Sequence, residues 1–231
     1  GVLKTDLRYF NSSDDGKNGS DPFYYSNGAY SHSTLGNGKG KVDNNLFSGL
    51  LLYTVEGHTF GGGYQVSNGS SDFPFLNQGD GASAYIPTDM QISKFARAGE
   101  RTWQARYSYD FAKVGVPGLT AGAVYLRGDN IDTYNSKNVQ TSNGSSEWER
   151  DITVAYVIQE GTLKNLGFMW KNAMWRNDIA GQRDRVGNGL IVSYSIPLLS
   201  AWSRAKVRKI LPGAMPGRVF TEDLNGQFAT H

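Results

Sequence analysis

Cysteine is absent from the 231 residues, which removes thiolate ligands from any metal chemistry and is compatible with an oxidising envelope. Histidine is nearly absent too. His32, His58 and His231 are scattered along the chain, so they suggest neither a metal site nor a cofactor. Ser31-His32-Ser33 places serine beside histidine, but in a Gly-rich loop rather than on a rigid strand, which argues against an activated nucleophile and against an enzyme. Long apolar runs are also missing. No stretch approaches the roughly 18 residues of a membrane-crossing helix, so a helical membrane protein is excluded. Net charge is only +2, and it is unevenly placed. After Ser200, Arg204, Lys206, Arg208, Lys209 and Arg218 outnumber Glu222 and Asp223 by three, which leaves −1 for the remainder. The basic character belongs to that tail and does not indicate nucleic-acid binding.

What the chain has instead is glycine (29 residues) and aromatics (13%), set in short alternating stretches. The clearest runs from Arg101 to Asn130. Trp103, Ala105, Tyr107, Tyr109 and Phe111 share one parity, and Gln104, Arg106, Ser108 and Asp110 share the other. Period two means a strand with one apolar and one polar face. A tight connection through Val114, Gly115, Pro117 and Gly118 then leads to a second strand, Leu119–Arg127. Aromatics on one face and charges on the other is the pattern of a membrane barrel with a wet lumen, and low average hydropathy does not oppose it, because alternation hides the lipid face in any average.

Eight such segments can be read: Val2–Phe10, Asn44–Val55, His58–Val66, the two of the Arg101–Asn130 hairpin, Glu147–Ile158, Leu166–Asn177 and Leu190–Leu198. In the second, Leu50 and Leu52 oppose Phe47, Leu51 and Tyr53, so both faces carry apolar residues. Connections alternate long and short. In an up-and-down sheet this puts tight turns on one rim and long loops on the other, as in outer-membrane barrels. Segments of about 9–12 residues suit tilted crossings of the hydrocarbon. A soluble β-sandwich also has short alternating strands, but it has no reason to sort its loop lengths by end or to line one face with charge. The chain opens on GVLKTDLRYF, already a strand, with no signal peptide; a removed leader or a piece of a longer protein is implied.

The runs TDLRY, GxGYQ, RTWQARYSYDFAKVGVPGLT, RGDN, EWERDITVAYVIQEGTLKNLGFMWKNA and LIVSYSIPL, in order over about Leu3–Leu198, resemble the OprD-type substrate-specific porins of Gram-negative outer membranes. The resemblance implies an all-β, antiparallel transmembrane β-barrel of eighteen strands, monomeric when complete, of which residues 1–199 supply about eight C-terminal strands. It places the infolded constriction loop in the part not present here. It implies passive uptake of small water-soluble nutrients, typically carboxylate-bearing, with lipid and lipopolysaccharide as surroundings.

The resemblance also implies a lumen ladder of basic residues, which a low-dielectric wall makes effective by focusing its field. Inward parity assigns Lys4, Arg8, Arg106 and Lys171 to it, Arg106 lying in the best-matched run. Guanidinium suits the task because it can hold a carboxylate through two parallel hydrogen bonds without deprotonating. Val124, Met169 and Gly189 are bare inward positions where relatives often carry a base. Asp6, Asp110 and Asp151 are expected as lumen acids, paired with the ladder or helping cationic groups pass. Arg127, Arg150 and Arg176 share parity with apolar positions and are read as rim residues near headgroups. Trp103, Trp148, Trp170 and Trp175 are read as an aromatic belt. Asn-Gly-Ser triplets at Asn18, Asn68 and Asn143 read as turn residues.

Residues 200–231 continue past the point where the family ends and are given no role, although Ala201–Leu211 has the make-up of a basic amphipathic helix. Two other functional classes remain open: a soluble carbohydrate-binding β-sandwich, and a non-conducting outer-membrane anchor or adhesin.

Overall fold

Residues 1–13, 43–69, 72–75, 85–134 and 140–195 are described by a computed structural model. They contain eight strands in one antiparallel sheet, and spatial order follows chain order throughout. The strands are β1 (Val2–Ser13), β2 (Asp43–Val55), β3 (His58–Gly69), β4 (Arg101–Asp110), β5 (Leu119–Tyr134), β6 (Gln140–Val157), β7 (Leu166–Asn177) and β8 (Arg185–Tyr194). Among the described residues β1 pairs only with β2 and β8 only with β7, so this sheet is open. The single sheet in meander order excludes the β-sandwich.

Local chemistry sets the tight rim. Glu56 and Gly57 both have positive φ (48° and 83°), the backbone hand that matches strand twist in a two-residue hairpin. Between β4 and β5 a 3-10 turn spans Phe111–Val114. Asp110 caps it by accepting the Ala112 N–H at 2.9 Å, and Gly115 ends it at φ 88°. The connections 14–42 and 70–100 leave from the other rim, but those at 135–139 and 178–184 on that rim are no longer than the turn-side connections 111–118 and 158–165.

Several strand boundaries differ from expectation, β1 and β3 running on to Ser13 and Gly69. The loop expected at Ile131–Ser146 is largely strand, because β5 runs on to Tyr134 and β6 begins at Gln140. Register shifts between Gly128 and Tyr134 break the alternation there, which is why periodicity does not reveal it. β8 begins at Arg185 rather than Leu190, its first half being disguised by Gly187 and Gly189. Ile196, Leu198, the tail 200–231, the loop with Ser31-His32-Ser33 and His231 lie outside the described residues.

The two faces are unlike. One presents exposed apolar and aromatic side chains on successive strands, including Leu7 (68% exposed), Phe47, Leu51, Tyr64, Trp103, Tyr107, Phe168 and Leu190 (71%). So continuous an apolar surface is untenable in water and is what a hydrocarbon-facing wall requires. The other face is covered by the connection between β3 and β4. Phe73, Ile86 and Ala96 from that connection bury Leu46 of β2, with Phe10 of β1 and Phe75 packed alongside. This accounts for part of the apolar pattern on β2: Phe47 and Leu51 face outward, Leu46 lies beneath the infolded segment, and Leu50 is buried on the same inner face.

Candidate functional site

Register brings the inward residues into rows. One row runs Lys4, Leu52, Gly61, Arg106, Val124, Asp151, Ala173, Gly187 across all eight strands. The next runs Asp6, Leu50, Gly63, Gln104, Leu126, Glu149, Trp175, Arg185. Glycine in β3 makes room for its neighbour's long side chains. A Cβ on Gly61 would meet Leu52 Cδ2 at 2.7 Å and Arg106 Cβ at 3.0 Å, and one on Gly63 would meet Gln104 Cγ at 2.9 Å.

Arg106 lies across that space with its Nε donating to Gln104 Oε1 at 2.7 Å. Its Nη2 donates to the backbone carbonyl of Pro87, in the infolded segment. Arg8 does the same from β1: Nη1 donates to the Tyr85 carbonyl at 2.7 Å, and the guanidinium lies 4.6 Å from the Tyr85 ring centroid. Tyr85 and Pro87 thus join two inward arginines that start three strands apart. Arg8 also holds Asp6 through two bonds of 2.7 Å, so part of its charge is neutralised within the chain. Lys171 faces inward beside Gly189 in register, and Lys4 lies on the edge strand. Neither is brought to the Arg8–Tyr85–Arg106 group. Val124, Met169 and Gly189 do face inward, by register with Arg106, Ala155 and Lys171.

The acids divide by role. Asp6 pairs with Arg8. Asp110 sits exposed at the tight rim, where its carboxylate caps the 3-10 turn. Asp151 is buried and its Oδ2 lies 3.4 Å from the Gln91 N–H. It belongs to a column on β6 that sequence reasoning left incomplete. Glu149 accepts the N–H groups of Ile92 (2.9 Å) and Ser93 (2.8 Å), and Glu147 accepts the Ser93 hydroxyl at 2.7 Å. Arg97 Nε stands 3.5 Å from Glu147 Oε1. Three successive inward acids therefore receive the donors of residues 91–93. The readable signal was Glu147 and Glu149 sharing parity with Asp151.

The long connection between β3 and β4 is thus folded onto the inner face, which its reading as a plain loop does not anticipate. A second correction concerns Trp175. Its parity is that of Lys171 and Ala173; it is buried on the inner face and its indole N–H donates to Glu147. Trp103 and Trp170 are exposed on the outer face, as a belt requires, and Trp148 shares their face.

Two groups off the spanning strands have displaced acidities. Glu100, fully buried at the end of the infolded segment, is held well above the usual carboxylate range by burial first and by the neighbouring Glu147 charge next. Gly128 has no Cβ at the place its carboxylate occupies. Asp89 is also raised by burial, with Lys94 partly offsetting the effect. Among the described residues no cluster of His, Asp and Glu is arranged to hold a metal ion.

An open antiparallel wall with a lipid-type outer face, a charged inner face and a segment folded against it defines a piece of a membrane β-barrel pore. The model of the OprD family of outer membrane porins matches residues 1–198, and the chain belongs to that family. Porin D of Pseudomonas aeruginosa is 32% identical over 174 residues, covering 69% of this chain and 39% of that protein. The porin-like protein GalP of Pseudomonas putida is 32% identical over 198 residues, covering 86% and 40%. Among solved structures, OccK8 (OprE) of P. aeruginosa matches with a TM-score of 0.70 and 57% identity, over 85% of this chain and 47% of that one. OpdQ of the same organism matches at 0.68 and 40%, over 85% and 44%. The chain therefore spans less than half the length of these relatives, which are porins of the outer membrane and not enzymes.

Proposed function

We propose that this chain forms the C-terminal eight strands of an eighteen-stranded monomeric barrel, completed by strands outside it. The barrel passively admits small water-soluble nutrients, with a preference for those bearing a carboxylate. Lys4, Arg8, Arg106 and Lys171 form the basic track, and Arg106 is its central member. The match to the family ends at residue 198, which supports treating 1–199 as barrel and 200–231 as an added tail.

The observation that carries this reading is the meeting of Arg8 and Arg106 on one short stretch of infolded backbone, Tyr85 to Pro87. Two guanidinium groups are thereby held at the surface of the segment that narrows the lumen, where a low-dielectric wall strengthens their pull on an anion. Carbonyl acceptors fix the direction of each group without cancelling its charge. Asp151 and Glu149 accept loop N–H groups, and Asp151 also attracts Arg106 and Lys171 electrostatically, so the acids of β6 lie beside the basic track.

Single-channel recording of the barrel that contains this chain tests the proposal. Arg106→Ala is expected to lower anion selectivity and weaken block by small carboxylates. Unchanged selectivity and block would remove Arg106 from the track. Absence of conductance in the unaltered barrel would favour the anchor or adhesin.

A further inference from the structure

Three arginines are grouped on the outer wall, away from the lumen. Arg127 of β5, Trp148 of β6 and Arg176 of β7 occupy one register row. Strand spacing places the two arginine backbones about 10 Å apart with the indole between them. Arg150 is the next outward residue of β6 after Trp148 and pairs in register with Tyr125 and Met174. Tyr125 stacks on Trp148 at 5.8 Å and meets Trp103 at a tilt at 5.4 Å, so an aromatic floor runs beside the cations. The group lies toward the rim that carries the long connections, whereas the turn-side ends of the same strands present Leu119, Tyr156 and Phe168.

The charges are only partly used within the chain. Arg127 is exposed and makes no side-chain hydrogen bond or ion pair with another described residue. Arg150 donates one N–H, Nη2, to Asn172 Oδ1 at 2.6 Å. Arg176 is anchored: Nη1 donates to the Trp175 and Arg185 carbonyls, and Nε stands 3.5 Å from Asp184. Asp129 stands opposite Arg101 in register, and the Asp178 carboxylate accepts from Ser146. The net result is cationic, on a wall that otherwise faces hydrocarbon.

We propose that Arg127, Arg150 and Arg176, arranged around Trp148, bind phosphate groups of lipopolysaccharide in the outer leaflet. This rests on the outer-membrane reading but not on conduction. Guanidinium groups are suited to phosphate because their planar donors can engage two oxygens at once. Trp148, Tyr125 and Trp103 offer the flat, amphipathic surface that a phosphorylated sugar at a membrane boundary can lie against. A phosphate also resolves the awkwardness of several cations on a lipid face, since it supplies the counter-charge from the lipid itself.

The test uses the barrel containing this chain, purified in detergent, titrated with bis-phosphorylated lipid A or with the same lipid A dephosphorylated, and read by native mass spectrometry. The unaltered protein is expected to prefer the phosphorylated form by about tenfold, and the triple variant Arg127→Gln, Arg150→Gln, Arg176→Gln to lose that preference. Arg127→Gln alone removes no bond found among the described residues and is expected to weaken binding by about threefold, which keeps the proposal open to test should the triple variant not insert. Equal binding of both lipids, or full preference in either variant, would overturn it. So would arginine-dependent association of two barrels without lipid. Anion selectivity of Arg127→Gln should stay unchanged, whereas Arg106→Ala should keep lipid A binding, so the two proposals fail separately.

Discussion

The carboxylate of Glu149 receives the backbone N–H of Ser93 at 2.8 Å and that of Ile92 at 2.9 Å, so one side chain of β6 holds two successive peptide groups of the infolded segment. Fifty-six residues separate Ser93 from Glu149 in sequence, and this contact fixes where the segment lies on the wall.

Glu149→Ala is therefore expected to loosen residues 91–93. Two hydrogen bonds to one carboxyl group are lost and the Ser93 donor is left buried, a local cost of about 2–3 kcal/mol. Protease cleavage within residues 85–100 should rise, and single-channel conductance of the barrel should increase as the segment leaves the lumen. Glu149→Gln keeps one acceptor oxygen and should fall between. Identical cleavage and conductance in all three proteins would show that the segment is held by other contacts.

Gly61 bears on Arg106 without any charge of its own. A Cβ there would press on Leu52 at 2.7 Å and on Arg106 Cβ at 3.0 Å. Gly61→Ala is expected to cost about 1–3 kcal/mol of stability through overpacking. It should also reduce anion selectivity toward the Arg106→Ala level although Arg106 is still present. The comparison of the two variants under single-channel recording decides it. Full selectivity in Gly61→Ala would mean that the position of Arg106 is not set by β3.

Much of this was legible in the sequence because oil and water act on alternate residues. The β4 run from Trp103 to Asp110 announces its faces directly, and with them the direction of Arg106. The return of residues 85–100 onto the inner wall was not legible. Its contacts are backbone N–H groups meeting Glu149 and carbonyls meeting Arg8 and Arg106, and backbone groups leave no trace in residue choice. Leu50 and Leu52 made both faces of β2 apolar, but the residues that cover Leu46 there, Phe73, Ile86 and Ala96, follow no period. The outward set on β7 mixes Asn172 and Arg176 with Phe168 and Trp170, which blurred the parity that puts Trp175 inside.

Acidity offers a test of Glu100. Burial first and the Glu147 charge next raise the pKa of Glu100 in the folded chain above its ordinary value of 4.5. In the window above 4.5 the detached segment would lose its proton while the packed one keeps it. Stability is then full below that window and falls as pH rises through it. Thermal unfolding of the barrel should show this decline in the unaltered protein, and Glu100→Gln should flatten it. A Glu100→Gln protein with an unchanged slope would assign the pH dependence to other groups.

The two classes of tryptophan can be separated by what they touch. Trp103 and Trp170 are 42% and 43% exposed on the outer wall, whereas Trp175 is 2% exposed and gives its N–H to Glu147. Trp175→Phe leaves a carboxylate short of a donor in a buried setting, which should cost about 1.5–3 kcal/mol. Trp103→Phe removes no bond found among the described residues and should change stability by less than about 0.5 kcal/mol. Single-tryptophan versions of the barrel in brominated lipid give the orientation directly. Trp103 and Trp170 should be quenched strongly, because bromine on the acyl chains can reach them, and Trp175 should not. Strong quenching of Trp175 would place β7 in the opposite parity, and with it would turn Lys171 toward lipid and remove it from the basic track.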